Sequence, residues 1–168
     1  FSGKGFRKFI RRSFRTIQNR GVKNLVIDLR SNGGGEIKNS TLLTQYISDH
    51  SFKIADSVVA KNRVIRKIPM SSYLDVMGYA LAKVMISKKA SGGGFHINRY
   101  EKHYYQPVTK NHFDGSVYVL QGGYTFSAST LFISPLMQQK NVTIVGEETG
   151  GGYYGNSAMM IPNIKLPN

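Results

Sequence analysis

The sequence contains no cysteine in 168 residues, which excludes disulfides, thiolate metal sites and a cysteine nucleophile in one step. It leaves the compartment open, because an exported protein can also lack cysteine. No apolar stretch approaches the ~20 residues of a membrane span, and no secretory apolar region is visible. Acidic residues are scarce, 9 against 23 lysines and arginines. With 40% hydrophobic and 19% charged residues the composition is that of a globular domain and not of a disordered chain. The length suits one domain, residues 1–168, with a real core. The chain starts at Phe1-Ser2-Gly3 without Met and stops at Leu166-Pro167-Asn168 inside an extended stretch, so we expect a piece of something longer.

A formal net charge of +14 invites a nucleic-acid reading, which the distribution weakens. Lys4, Arg7, Lys8, Arg11, Arg12, Arg15 and Arg20 crowd the first twenty positions. They alternate there with Phe6, Phe9, Ile10, Phe14 and Ile17, the spacing of a helix with one apolar stripe and one basic face. A solvated face explains the pattern most simply. An anionic partner or membrane surface is the alternative, with salt-dependent binding lost on changing Arg7, Arg11 and Arg15 to Gln as its signature. We expect no nucleic acid.

Beyond that helix, which Gly21 caps, the pattern alternates. Val22 to Leu29 reads as a buried strand, its apolar run at Leu25, Val26 and Ile27 continuous, as in parallel strands covered on both faces. Glu36 opens a helix with Leu42, Leu43, Tyr46 and Ile47 on its inner face. Ser51 to Ile68 is strand-like, and Met70 to Ile86 helical, with Leu74, Met77, Leu81 and Val84 as a core stripe. Ser91 to Asn111, rich in Gly, Tyr and His, reads as a hairpin or surface excursion. Val117 to Leu120 is a strand, Ser127 to Gln139 a helix with a kink or early end at Pro135, and Val142 to Gly146 a last strand. This order argues for parallel pairing.

Several motifs fail on context. Gly150, Gly152 and Gly155 match a dinucleotide fingerprint, but no helix follows. Asn32 to Ser40 is glycine-rich but lacks the Gly-Lys-Ser/Thr ending of a phosphate loop. His50, His96, His103 and His112 are not at metal-ligand spacing. Asn39-Ser40-Thr41 and Asn141-Val142-Thr143 fit the weak glycosylation pattern. We expect no metal and no cofactor.

Ser127 remains. The strand ending at Leu120 leads through Gln121-Gly122-Gly123 to Ser127 at the start of a helix, where unpaired N–H groups and the helix dipole favour an oxyanion. The plainer reading is an N-cap serine. The flanks lack the G-x-S-x-G glycines of an α/β-hydrolase elbow.

Three blocks in order carry a resemblance: Asn24-Leu25-Val26-Ile27-Asp28-Leu29-Arg30-Ser31-Asn32-Gly33-Gly34-Gly35; Val117-Tyr118-Val119-Leu120 with Thr125-Phe126-Ser127-Ala128-Ser129; and Thr143-Ile144-Val145-Gly146-Glu147-Glu148-Thr149-Gly150-Gly151-Gly152. Together they resemble the core of the tail-specific (C-terminal-processing) and tricorn-type serine peptidases. The resemblance implies an α/β fold with a crotonase/Clp-protease-like core, a mainly parallel sheet flanked by helices. It also implies a serine endopeptidase acting on polypeptides through an acyl-enzyme on Ser127. By that pattern the oxyanion hole is the Ala128 N–H with an amide of Gly34 or Gly35 in the Gly33 to Gly35 loop, while Asp28, Arg30 and Asn32 support the motif.

One departure stands out. Tail-specific members carry a lysine base where this sequence has Gly152, so the chain resembles the tricorn-type branch, whose histidine base lies upstream of the first core helix and whose orienting glutamate lies downstream of the last block, both expected outside this chain. His96, His103 or His112 would substitute only if the tyrosine-rich excursion folds over the cleft. A non-catalytic ligand- or peptide-binding module on the same fold is the alternative function. Family habit implies an exported, periplasmic or cell-envelope protein of a bacterium.

Overall fold

The computed structural model describes residues 3–60 and 88–152. The expected Met70 to Ile86 helix, residues 61–68 of the expected Ser51 to Ile68 strand and Gly155 lie outside those residues, and of the rest of that strand only Phe52, in a bridge to Tyr105, and Val59–Ala60 are paired. The chain divides into two compact units, one of residues 1–54 with 104–158 and a second of residues 55–103 with 159–168.

The first unit opens with α1 (Gly3–Asn19). Ile10 and Phe14 of its apolar stripe are buried, and Phe6 and Ile17 pack against the same core. Phe9, expected on that stripe, is half exposed and touches Phe6 at its edge. The helix stops because Gly21 takes φ +60. That turn lets the N–H of Gly21 reach Gln18 O at 3.0 Å and that of Val22 reach Ile17 O at 3.2 Å, the paired bonds of a Schellman motif.

Next come β1 (Asn24–Asp28) and α2 (Ile37–Gln45). Glu36 is the residue before α2 and makes no side-chain cap. The inner face of α2 and the turn after it includes Tyr46 and Ile47 as expected, but Leu42 and Leu43 are only half-buried, and Thr41 and Thr44 take the deeper positions. Their hydroxyls are buried without penalty because they donate to the carbonyls of Ile37 and Ser40 on the preceding turn.

The second unit holds β2 (Val59–Ala60), β3 (Lys88–Lys89) and β4 (Phe95–His96), paired antiparallel in the order β2-β4-β3, and then α3 (Asn98–Lys102). The excursion is therefore part hairpin and part helix. The chain returns to the first unit through β5 (Ser116–Gln121), α4 (Ala128–Ile133), a 3-10 turn at Ser134–Leu136 and β6 (Val142–Gly146). Pro135 lies inside that turn, so the α-helix ends at Ile133, well before the expected Gln139. Without an N–H, proline cannot continue the α ladder.

Strands β1, β5 and β6 form a parallel sheet with β5 in the middle, Ile27 facing Val119 and Val119 facing Ile144. Val117 and Val119 are fully buried beneath Ile10, Phe14, Ile47, Phe132, Ile133 and Leu136, and each such side chain contributes about 1.5–3 kcal/mol by leaving water. The expectation of two covered faces is not met. Val26, Tyr118 and Val145, on the opposite side of the pleat, are exposed at 59, 37 and 45%. The apolar run at Leu25-Val26-Ile27 thus alternates in and out.

Candidate active site around Ser127

Parallel strands deliver the loops at their C-terminal ends to one edge of the sheet, and here that edge gathers all three sequence blocks. The first loop leaves β1 at Asp28. The Leu29 N–H donates to Leu120 O at 2.8 Å, carrying the ladder one residue further. Asp28 then accepts from the Arg30 backbone N–H and Nε at 3.0 Å each and from Nη2 at 2.7 Å. These bonds, the side-chain pair first, hold its carboxyl down from an ordinary 3.8 to about 2. Both groups are well exposed, so the pair shapes the turn more than it stabilises the fold. A shallow cleft of about 440 Å³ opens beside them, lined by Asp28, Arg30, Ser31 and Asn32.

Asn32 ties the first loop to the second. Its Oδ1 accepts from the Gly34 N–H at 3.0 Å and from Ser129 Oγ at 2.8 Å, while its carbonyl accepts from the Phe126 N–H at 3.2 Å. Thr125, fully buried, does the same from the other side. Its hydroxyl donates to Leu29 O at 2.7 Å and accepts from the Gly122 N–H at 3.1 Å. The third loop closes the arrangement. The Gly151 N–H donates to Thr125 O at 3.0 Å, and Glu147 Oε1 accepts from the Gly123 N–H at 3.1 Å. Thr125, Ser129 and Glu147 went unassigned in the sequence, where a threonine, a serine and a glutamate carry no signal of such long-range partners.

Held between these loops, Ser127 has φ 54 and ψ −120, outside the regions that L-residues ordinarily occupy. It precedes α4, yet its hydroxyl makes no capping bond, so the N-cap reading fails. Its Oγ has no hydrogen-bond partner among the described residues. Gly34, at φ +98, passes so close that a Cβ there would lie 2.8 Å from Ser127 Cβ and 2.9 Å from the Ala128 nitrogen. A Cβ on Gly151 would lie 3.0 Å from the Ser127 nitrogen. Only glycine admits such an approach of backbone to backbone. Ser127 thus combines a strained backbone with a hydroxyl left unpaired among the described residues, at the end of the loop that joins β5 to α4.

The helix that follows spans six residues, too short to lend the site much of a macrodipole. Any oxyanion must therefore be met by individual amides. The Ala128 N–H has no acceptor among the described residues, whereas that of Gly34 is already given to Asn32.

The family model for peptidase family S41 matches residues 1–167. The chain belongs to peptidase family S41. Three solved structures share its fold: a protein from Parabacteroides merdae ATCC 43184 assigned as a peptidase, the photosystem II D1 C-terminal processing protease, and a protein from Bacteroides fragilis NCTC 9343 assigned as an S41 protease. Identities are 20, 19 and 19%, with TM-scores of 0.52, 0.51 and 0.51. The matches cover 77, 86 and 89% of this chain but 32, 28 and 32% of theirs, so the S41 chain spans about a third of the length of these relatives. No curated protein matches it.

Within its own unit, no described residue of this S41 chain is hydrogen-bonded to Ser127 Oγ as a base would be. His112 has both ring nitrogens engaged, Nδ1 at 2.7 Å from Asp114 Oδ1 and Nε2 at 2.9 Å from Ser48 O. His96 and His103 belong to the second unit. There His96 Nδ1 meets Glu101 Oε1 at 2.7 Å, and that bond, with a second from the Val58 N–H, lowers the Glu101 carboxyl. No group of three His, Asp or Glu residues is placed to hold a metal, and no helix is long and apolar enough to cross a membrane, among the described residues.

Proposed function

We propose that the protein is a serine endopeptidase with Ser127 as its nucleophile. The observation that carries this reading is the Ser127 backbone itself, held at φ 54 by three loops while its hydroxyl is left uncapped. Ser127 Oγ attacks the carbonyl carbon of a polypeptide, and its proton passes to a base outside the described residues. The developing oxyanion accepts from the Ala128 N–H and from an amide of the Gly33 to Gly35 loop. Gly35 serves better than Gly34, whose N–H Asn32 holds. Each such donor contributes about 3–4 kcal/mol to transition-state stabilisation in enzymes of this kind. The C–N bond then breaks, the amine departs with the proton, and water hydrolyses the ester. Asp28, Arg30 and Asn32 hold the loop.

With Gly152 where tail-specific members carry lysine, we place the chain on the tricorn-type branch, with a histidine base and its glutamate lying beyond the three blocks, and in an exported bacterial protein. The unpartnered Ser127 hydroxyl supports one rival reading, a peptide-binding module on the same fold. Fluorophosphonate labelling decides between them. Covalent labelling that disappears in Ser127→Ala and persists in Ser129→Ala is expected. Labelling indifferent to Ser127→Ala overturns the assignment of the nucleophile, and peptide binding without labelling leaves the binding module.

A further inference from the structure

The unit that carries Ser127 also presents a cationic groove of about 820 Å³, lined by Arg7, Lys8, Arg11, Arg12 and Arg15 of α1 and by Lys110 on the facing loop. Tyr46, Pro107 and Val108 give it apolar lining. The facing loop is a fixed wall. The Val108 N–H donates to Gln45 O at 2.8 Å, Gln45 Nε2 to Gln106 O at 2.7 Å, and the Phe113 N–H to Tyr46 O at 2.9 Å. Helix α1 contains no acidic residue, and no ion pair among the described residues engages its arginines. Arg7, Arg11 and Arg15 follow one another at four-residue spacing, as do Lys8 and Arg12, and like charges so placed repel. The sequence therefore sustains a locally unfavourable face, the kind of inconsistency that marks a functional surface.

We propose that this groove docks an acidic polypeptide segment in extended form. Successive arginines of the stripe rise by ~6 Å along the helix, and side chains on one face of an extended chain recur every ~6.6 Å, so alternate Asp or Glu residues meet Arg7, Arg11 and Arg15 in register. Guanidinium and carboxylate are matched in geometry as well as charge. A membrane fits the surface less well, because the apolar stripe of α1, Phe9 apart, is spent on the core. Single-stranded nucleic acid needs aromatic faces for stacking. Tyr46 is buried and stacked on Phe14 at 4.6 Å between centroids. The choice of polypeptide among anions rests on the peptidase reading above, and makes the groove a substrate exosite.

The test is fluorescence anisotropy of a fluorescein-labelled oligoglutamate peptide with the Ser127→Ala protein. Saturable binding that weakens as salt is raised is expected, with no binding of an oligoglutamine peptide. Each exposed charge contact counts for a factor of about two, so Arg7→Gln/Arg11→Gln/Arg15→Gln binds about tenfold more weakly. Lys23→Gln/Lys38→Gln/Lys140→Gln removes the same charge away from the groove lining and leaves affinity unchanged. Unchanged affinity in the arginine variant, its circular dichroism matching the parent, overturns the proposal, as does tighter binding of duplex or single-stranded DNA or of phosphatidylserine vesicles at equal charge. Absent fluorophosphonate labelling of the unmutated protein sinks the peptidase reading and with it the exosite role, while oligoglutamate binding would still show the acidic-peptide groove; absent oligoglutamate binding sinks the groove proposal alone.

Discussion

Holding a side chain at φ 54 and ψ −120, as the backbone does at Ser127, costs about 1–3 kcal/mol, and such strain persists only where the surroundings over-determine it. Glycine is at ease in that conformation. Ser127→Gly should therefore raise the urea midpoint at unchanged m-value, the shift corresponding to about 1 kcal/mol of added stability, while removing the proposed nucleophile; a lower midpoint would show that the turn is not strained. At Asp28 the folded carboxyl titrates near 2 instead of 3.8. A lowered folded value means that the stabilising contribution is present above the unfolded pKa and is lost as pH falls from about 4 to about 2. Carbon-13 NMR of the Asp28 carboxyl should show that low titration, moving upward in Arg30→Gln. Sequence could name Ser127, Asp28 and Asn32 because short blocks carry them. It could not show that Asn32 captures the Gly34 amide, since that bond exists only once the turn has closed.

Elements were legible wherever one local rule governed them. The glycine at position 21 ended α1 through its own φ, and Pro135 ended α4 through its missing N–H. Where neighbours decide, reading along the chain went astray. Leu25-Val26-Ile27 looks doubly covered, yet the pleat turns Val26 to the open face, and Phe9 leaves a stripe that Ile10 and Phe14 already fill. The like charges of α1 lead to a prediction of their own. Arg11→Gln relieves repulsion from both Arg7 and Arg15, about 0.2–0.5 kcal/mol per pair. It should raise the thermal midpoint at low ionic strength, and the gain should vanish in about 1 M salt. A gain that survives high salt would point instead to packing.

For the whole molecule, membership of peptidase family S41 rests on a match over nearly the full chain, while the similar solved structures are about three times its length. The strand character of β1, β5 and β6, the expectation that they pair in parallel and the three motif blocks were legible in the sequence, because apolar runs, glycine turns and proline act on the residues beside them; their order in the sheet was not. Tertiary structure alone decided that Asn32 takes the Gly34 amide, that Thr125 and Glu147 brace the serine turn, and that Val26, Tyr118 and Val145 are exposed. Those outcomes depend on groups brought together from distant positions, and a hydrogen bond or a burial has no trace in the chain until its partner has arrived.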